Sequence, residues 1–494
     1  MSQTANCCPT SIEEFRRSLA TADPLADLRA GLVGKGVMME GPFGQREIVY
    51  ADYVASGRAL KQVERFVLEE LLPYYANSHT EASYCGGRMT RLRREARGAI
   101  AGYCGAGEDY AVIFTGAGAT AGINRLVNLF GLSTAVTAGK KVRVVIGPYE
   151  HHSNILGWRE AGAEVVEVPE ALQGGPDLTQ LASILAASGD CDLLLCSFSA
   201  ASNVTGITTD VATVTRLAKQ AGALVAWDYA GAAPYLPIGV HPCSDLAIDA
   251  IALSPHKFIG GPAASGVLIV RRETVTATKP TWPGGGTVRF VSPWAHDYSD
   301  ELEAREEAGT PNVVGDIRAA LAFTVKDAIG EDTMRRRNAE LTQRAFAAWS
   351  GIEEIDILGS PVAPRLPIFS FRIRDGLGGY IHQQLVTRML SDRFGIQARG
   401  GCACAGPYVH RLLSIDEAAS QEMRQAILSG DEIAKPGFTR LNFSVLLTDD
   451  EVDFILSSVA QLSRDATDYQ SLYDFHPSQA IFYPRDAALS QTLR

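Results

Sequence analysis

Ser254-Pro255-His256-Lys257, followed by Gly260-Gly261-Pro262, sets a lysine at the end of the apolar run Ala250-Ile251-Ala252-Leu253. A lysine amine condenses with an aldehyde to give an imine, so Lys257 can hold a carbonyl cofactor while Ser254 and His256 reach its phosphate. One run earlier, Leu224-Val225-Ala226-Trp227 ends on Asp228. An acid buried there needs a cation or hydrogen-bond donors. A protonated pyridine nitrogen is such a partner, and it makes the ring an electron sink; a helix cap is the plainer reading. Further upstream, Ala111-Val112-Ile113-Phe114 stops at Thr115-Gly116-Ala117-Gly118-Ala119-Thr120 and passes into helical residues. Gly118, Ala119 and Thr120 there offer backbone N–H groups and the positive end of a helix dipole to an anion. No Gly-Lys-Ser/Thr follows, so this is not a Walker loop. Singly, these are a tight turn, a cap and a loop lysine. In this order and spacing they describe a site for pyridoxal phosphate (PLP) with Lys257 as its Schiff-base lysine.

The elements that must position them alternate along the chain. The other apolar runs are Val142–Ile146, Glu164–Val168, Leu193–Cys196 and Gly266–Val270, separated by segments of helical spacing such as Val211–Ala221. Runs apolar on both faces predict a mostly parallel sheet covered by helices. Such sheets place ligands at the carboxyl ends of their strands. A Pro/Gly-rich loop over Lys279–Gly286 and a long helical stretch over Pro311–Ala348 lead to a second unit with strands at Ile368–Ile373 and Phe438–Val445. The expected division is an N-terminal segment, 1–48, packing on the small unit; a large cofactor-binding domain, 49–325; and a small C-terminal domain, 326–494.

The 494 residues exceed what one small core serves, and 46% hydrophobic with 20% charged residues is a folded composition. A net charge of -11 and the lack of a basic stripe argue against a nucleic-acid partner. The basic run Arg88–Arg97 reads mainly as a solvated helix. No run of about twenty apolar residues exists, so no membrane span is expected, and no secretory leader is apparent. Nine scattered cysteines fit reduced thiols of the cytoplasm. Cys7-Cys8 and Cys402-x-Cys404 lack a second pair at zinc spacing, so no metal site is expected.

From about Tyr50 to Leu456 the chain resembles class V aminotransferase-fold PLP enzymes, and among them cysteine desulfurases and selenocysteine lyases. The segment Glu150-His151-His152-Ser153-Asn154 with Trp158 is similar to the family's Glu-His-His-Ala-Asn, whose histidine stacks on the pyridine ring; alignment puts His151 there, with His152 second. Ser202-Asn203-Val204-Thr205-Gly206 resembles a turn whose Asn contacts the phenolic oxygen. Glu307-Ala308-Gly309-Thr310-Pro311-Asn312 is similar to a segment that reaches the partner subunit's phosphate. The resemblance thus implies a type I PLP-dependent transferase fold: α/β, a large domain with a mostly parallel seven-stranded sheet, and a smaller C-terminal α+β domain. It further implies a homodimer with shared active sites.

The resemblance also implies a reaction. Arg399-Gly400-Gly401-Cys402-Ala403-Cys404-Ala405 puts Cys404 where the desulfurase nucleophile stands, on a loop near 399–408. Cys404 would take sulfur from L-cysteine or a related thiol amino acid as a persulfide, leaving alanine, with a sulfur-acceptor protein as a further partner. Arg440 matches the arginine that clamps the substrate carboxylate, assisted by Arg399; a planar fork suits that task.

Departures stand beside the match. Asp228-Tyr229-Ala230-Gly231 has Gly231 where the family has Gln or His. Residues 411–436 read as an insertion with a helix over Ile415–Gly430 that can cover the site. Asn77, His79, Glu81 and Arg88 in the polar segment Tyr75–Thr90 look like substrate-pocket residues. An aromatic tail from Asp465 is expected to pack on the dimer. Other class V chemistries, a C–S lyase, an epimerase or an aminotransferase, would need Lys257 but not Cys404; a non-catalytic scaffold would need neither.

Overall fold

The computed structural model describes residues 11–78 and 81–485. Every apolar run becomes a strand of one seven-stranded sheet: β1 (Tyr110–Gly116), β2 (Val142–Ile146), β3 (Glu164–Glu167), β4 (Leu193–Ser199), β5 (Leu224–Asp228), β6 (Ala250–Leu253) and β7 (Gly266–Arg271). Their spatial order is β1-β7-β6-β5-β4-β2-β3. Strands β3, β2, β4, β5 and β6 run parallel, whereas β7 is antiparallel to both β6 and β1. The register sets Ser199 beside Asp228 and Asp228 beside Ala252. The carboxyl ends of β4, β5 and β6 therefore finish level, and the segments that follow them converge on one place.

Helices cover both faces, which is why the central strands are buried almost throughout. One face packs on α1 (Ile12–Leu19), α2 (Pro24–Gly31), α3 (Tyr84–Tyr103) and, after β1, the other receives α4 (Gly118–Leu129). Helix α5 (Ser153–Glu160) follows β2 and packs against α4. Helix α4 approaches the sheet closely because Gly122 stands over it: a β-carbon there would meet Leu268 at 3.5 Å and Ala252 at 3.6 Å. The N-terminal helices were expected on the small unit. Instead Ile12, Phe15, Leu19 and Leu28 join the core of the large sheet, against α6 (Val313–Ile329), whereas the later part of the segment does reach the small unit: Phe43 packs on its core and Arg46 Nε donates to Arg393 O at 2.7 Å.

The helical stretch expected over Pro311–Ala348 is two helices, α6 and α7 (Glu331–Trp349), parted by Gly330 at φ 81°. Helix α6 runs unbroken past 325 inside the large core, and from Leu341 onward α7 belongs to a second core. The change of core thus falls within α7, between Met334, which still packs in the large core, and Leu341. The second unit holds a four-stranded antiparallel sheet in the order β8-β9-β11-β10, where β8 is Ile355–Ile357, β9 Ile368–Ile373, β10 Arg399–Gly401 and β11 Phe438–Asn442. Trp349, Phe369, Phe371 and Phe443 pack as mutually tilted rings in its core. Helices α8 (Gln383–Phe394) and α10 (Asp449–Gln470) cover it, the latter started by a Thr448/Glu451 capping box.

Three other expectations meet the structure here. The helix of the insertion, α9 (Glu417–Leu428), has no buried residue, and none of its side chains lines the pocket formed at the ends of β4–β6. The aromatic tail folds on its own chain: Tyr473–His476 and Ile481–Pro484 form a hairpin, Tyr473 donates to Asp392 (3.1 Å), and Phe482 stacks on His382. A second hairpin, Val288–Val291 with His296–Tyr298, follows the Pro/Gly loop and leaves Phe290 and Trp294 exposed.

Candidate active site

The level ends of β4, β5 and β6 and the start of α4 enclose one pocket, lined among others by Gly118, Ala119, Thr120, His151, Asn203, Asp228, Ser254, His256 and Lys257. At its floor the chain turns through Gly118, at φ 62°. A β-carbon there would lie 2.9 Å from both Ser254 Oγ and His256 Cε1, so the turn needs glycine. Ser254 Oγ accepts the Ala119 N–H at 3.0 Å. No side chain caps α4, and its first N–H groups open on the pocket as an anion cradle.

Asp228 is fully enclosed, and burial pushes its carboxyl upward although Ala230 N–H donates to Oδ1 at 2.8 Å. Burial moves Lys257 the other way, down to about 8, against the attraction of Asp228. His151 is pushed down to about 4 by burial and then by the charge of Lys257, so its ring is neutral. Its Nδ1 accepts the Ser153 N–H (3.2 Å), leaving the proton on Nε2, and Ser153 Oγ continues to Thr120 Oγ1 at 2.7 Å. His152 does not line the pocket. Its Nε2 accepts the Gly406 N–H at 2.9 Å. Just behind, Glu150 accepts from Ser199 N–H (2.8 Å), Ser199 Oγ (2.7 Å) and Gly147 N–H (3.2 Å), fixing the β2 and β4 ends together.

Arg399 and Arg440, of the small unit, do not line the pocket; they stand behind Asn203 at its edge. Arg399 and Arg440 face each other across β10 and β11, like charges that would repel. Asp52 resolves this: its Oδ2 accepts from Arg399 Nε and its Oδ1 from Arg440 Nη2, each at 2.9 Å. Arg440 is buried and also donates from Nη1 to Asn203 O (2.9 Å), while its Nε has no partner. The Cys404 loop leans on the same edge. Asn203 Nδ2 donates to Ala403 O (2.8 Å) and His152 N–H to Cys404 O (2.8 Å). Cys404 is exposed and stands outside the pocket lining.

Other expected residues fall elsewhere. Arg88 pairs with Glu70 (2.7 Å) and stacks over Tyr74, and Glu81 pairs with Arg94 (2.9 Å). Both are engaged in ion pairs of α3 and its approach, and they do not line the pocket. Asn77 lies just before α3 and does not line it either; His79 lies outside the described residues. Thr310 is exposed, at the end of a loop pinned by Glu307, which accepts from Arg97 (2.7 Å), Phe114 N–H (2.7 Å) and Arg93. Burial opposes ionisation of Glu307, but Arg97 and Arg93 outweigh it and hold its carboxyl low. The sequence reasoning missed Asp52, Glu150 and Ser153 as parts of the site. Glu150 and Ser153 were visible beside His151; Asp52 carried no local signal, since its partners lie 347 and 388 residues away. Among the described residues no group of three His, Cys, Asp or Glu side chains could hold a metal, and no cysteine is in a disulfide.

The aminotransferase class-V family matches residues 49–454, and the chain belongs to it. It is a PLP-dependent enzyme of that family, and the pocket fits the cofactor on its own evidence. Asn203 Oδ1 is buried at the wall with no protein partner, an acid and a lysine of displaced pKa share the interior, and a glycine-shaped anion cradle closes the floor. Among relatives, the chain is 28% identical over 426 residues to a cysteine desulfurase of Pectobacterium atrosepticum, covering 84% of this chain and 93% of the relative. It is 27% identical over 371 residues to a probable cysteine desulfurase of Staphylococcus aureus, covering 74% and 85%. The apo structure of a cysteine desulfurase from Thermococcus onnurineus superposes with a TM-score of 0.71 at 25% identity, over 89% of this chain and 98% of that one.

Proposed function

We propose that the protein is a cysteine desulfurase that moves the sulfur of L-cysteine, or of a related thiol amino acid, onto Cys404 and leaves alanine. The observation that carries this is the seating of the Cys404 loop on the pocket: Asn203 holds it from the cofactor side and also receives Arg440. Asn203, which lines the pocket with Lys257, thus contacts both the loop of the proposed nucleophile and the proposed carboxylate clamp. The curated relatives named as desulfurases support it.

Gly118, Ala119, Thr120, Ser254 and His256 would hold the phosphate, Asp228 the pyridine nitrogen, His151 the ring face, and Asn203 the phenolic oxygen. When bound, PLP supplies an electron sink for the carbon that loses its proton. Lys257 anchors the cofactor. Its amine, depressed by burial to about 8, is neutral in a substantial fraction near neutral pH and can accept the α-proton at Nζ. Arg440, with Arg399 paired to it through Asp52, binds the substrate carboxylate. The Cys404 thiolate attacks the substrate sulfur: an S–S bond forms, the carbon–sulfur bond breaks, and its electron pair stays on the carbon that becomes the methyl group of alanine. The persulfide then passes to a sulfur-acceptor protein.

We assign the chain to a cytoplasmic homodimer in which Thr310, exposed on its pinned loop, reaches the partner's phosphate site. Among the described residues no helix is long and apolar enough to cross a membrane. We divide the chain into an N-terminal segment, a large cofactor-binding domain and a small domain, with the second border inside α7, after Met334.

Cysteine turnover by wild type and Cys404→Ala, following alanine and sulfide, tests the function. Alanine from wild type alone supports the persulfide route. Equal alanine from both makes the protein a C–S lyase in which Cys404 is a bystander.

A further inference from the structure

The loop that carries Cys404 is held in a conformation that its residues do not favour. Ala403 and Cys404 sit consecutively in the left-handed region, at φ 49° and 55°. A residue with a β-carbon enters that region at a cost of roughly 1–2 kcal/mol. Two in a row persist only where surrounding bonds impose them. Three hydrogen bonds do so here. Asn203 Nδ2 holds Ala403 O, His152 N–H holds Cys404 O at 2.8 Å, and Gly406 N–H donates to His152 Nε2 at 2.9 Å. Two of the three come from His152, which clasps the nucleophile's loop at the Cys404 carbonyl and again at Gly406. The fit is close: a β-carbon on Gly406 would lie 3.1 Å from His152 Nε2. His152 can accept from Gly406 because its ring is neutral, burial lowering its pKa.

We infer that His152 is a positioning residue for the sulfur-transfer step, clasping residues 403–406 so that the loop carrying the exposed Cys404 keeps one conformation beside the pocket. It touches neither the pocket interior nor the reacting atoms; its effect passes through Gly406 and Cys404. This inference rests on the desulfurase reading for its effect on turnover, but not for its effect on the loop. Without the imidazole acceptor, the loop relaxes from its left-handed turn and the Cys404 thiol samples other positions.

The test compares holoenzyme wild type, His152→Ala and His152→Gln, whose amide oxygen can still accept from Gly406. Cys404 alkylation by iodoacetamide is located by fragment-ion mapping, and alanine formation is followed in parallel. His152→Ala is expected to raise the Cys404 alkylation rate and lower kcat, each by about tenfold, the worth of one good hydrogen bond. The KM for cysteine and the cofactor's visible absorbance should stay near wild type, because the pocket lining is untouched. His152→Gln should recover most of both losses. Alkylation of His152→Ala at the wild-type rate, or a Gln variant no better than Ala, overturns the inference. If Cys404→Ala still makes alanine while His152→Ala speeds alkylation, the clasp stands and the desulfurase reading falls.

Discussion

At the scale of single residues, Asp52 decides the most. It neutralises two arginines that β-sheet register forces together, and it leaves Arg440 with a buried Nε–H that has no protein acceptor. Removing one member of a buried ion pair leaves the other charge uncompensated, so Asp52→Ala should destabilise the protein by about 3 kcal/mol in urea unfolding. The double variant Asp52→Ala/Arg440→Met should recover part of that loss, because the groups touch. Lys257 makes a second prediction. Its amine must be neutral to condense with an aldehyde, and burial lowers its pKa to about 8. Cofactor uptake by the apoprotein, followed by visible absorbance, should therefore quicken as pH rises through about 8 and level off above it. A rate flat across that range would show that another group governs capture.

At the scale of elements, the site is a matter of strand ends finishing level and one helix start lying against them. Gly266, the first residue of β7, faces Gly118 so closely that a β-carbon would sit 2.5 Å from the Gly118 backbone. Backbone cannot swing aside as a side chain can, so Gly266→Ala should push the start of α4 off the sheet. Expected are a loss of about 2 kcal/mol in stability and a clear weakening of cofactor binding, measured by equilibrium dialysis. Gly231 is a contrast: a β-carbon there meets only ordinary contacts, 3.5 Å to Ala201 O and 3.6 Å to Asn203 Cβ. Gly231→Gln should fold with near wild-type stability, and the absent side chain is a choice of chemistry rather than of space. The sequence was legible at this scale wherever structure is local. Seven apolar runs became seven strands, and Lys257, Asp228 and Gly118 met because runs end where they turn. Legibility failed where pairing is distant or tertiary. Helical periodicity continues through Gly330 and hides the break between α6 and α7, and amphipathic α1 could not declare which core it would join. Arg88 and Glu81 looked like pocket residues because a polar segment does not reveal which of its charges are already paired.

At the scale of the whole molecule, the large sheet holds the cofactor pocket, and the arginines of the small sheet reach its edge through Asn203 and Asp52. Thr310 stands exposed on a loop anchored by Glu307 between two arginines. The homodimer reading expects a particle of two chains by light scattering. Glu307→Ala, which frees that loop, should weaken both dimerisation and cofactor retention; a monomer that keeps PLP would contradict shared sites.

Asp52 and Arg440 are 388 residues apart along the chain. A ribosome adding about 5–20 residues per second takes roughly 20–80 s to make the second after the first. All residues lining the cofactor pocket are synthesised well before that. During vectorial synthesis the large sheet and its anion cradle thus emerge while the acid at Asp52 still waits for its arginines. The residues of the pocket are thus complete well before the small unit can bring Arg440 to Asp52.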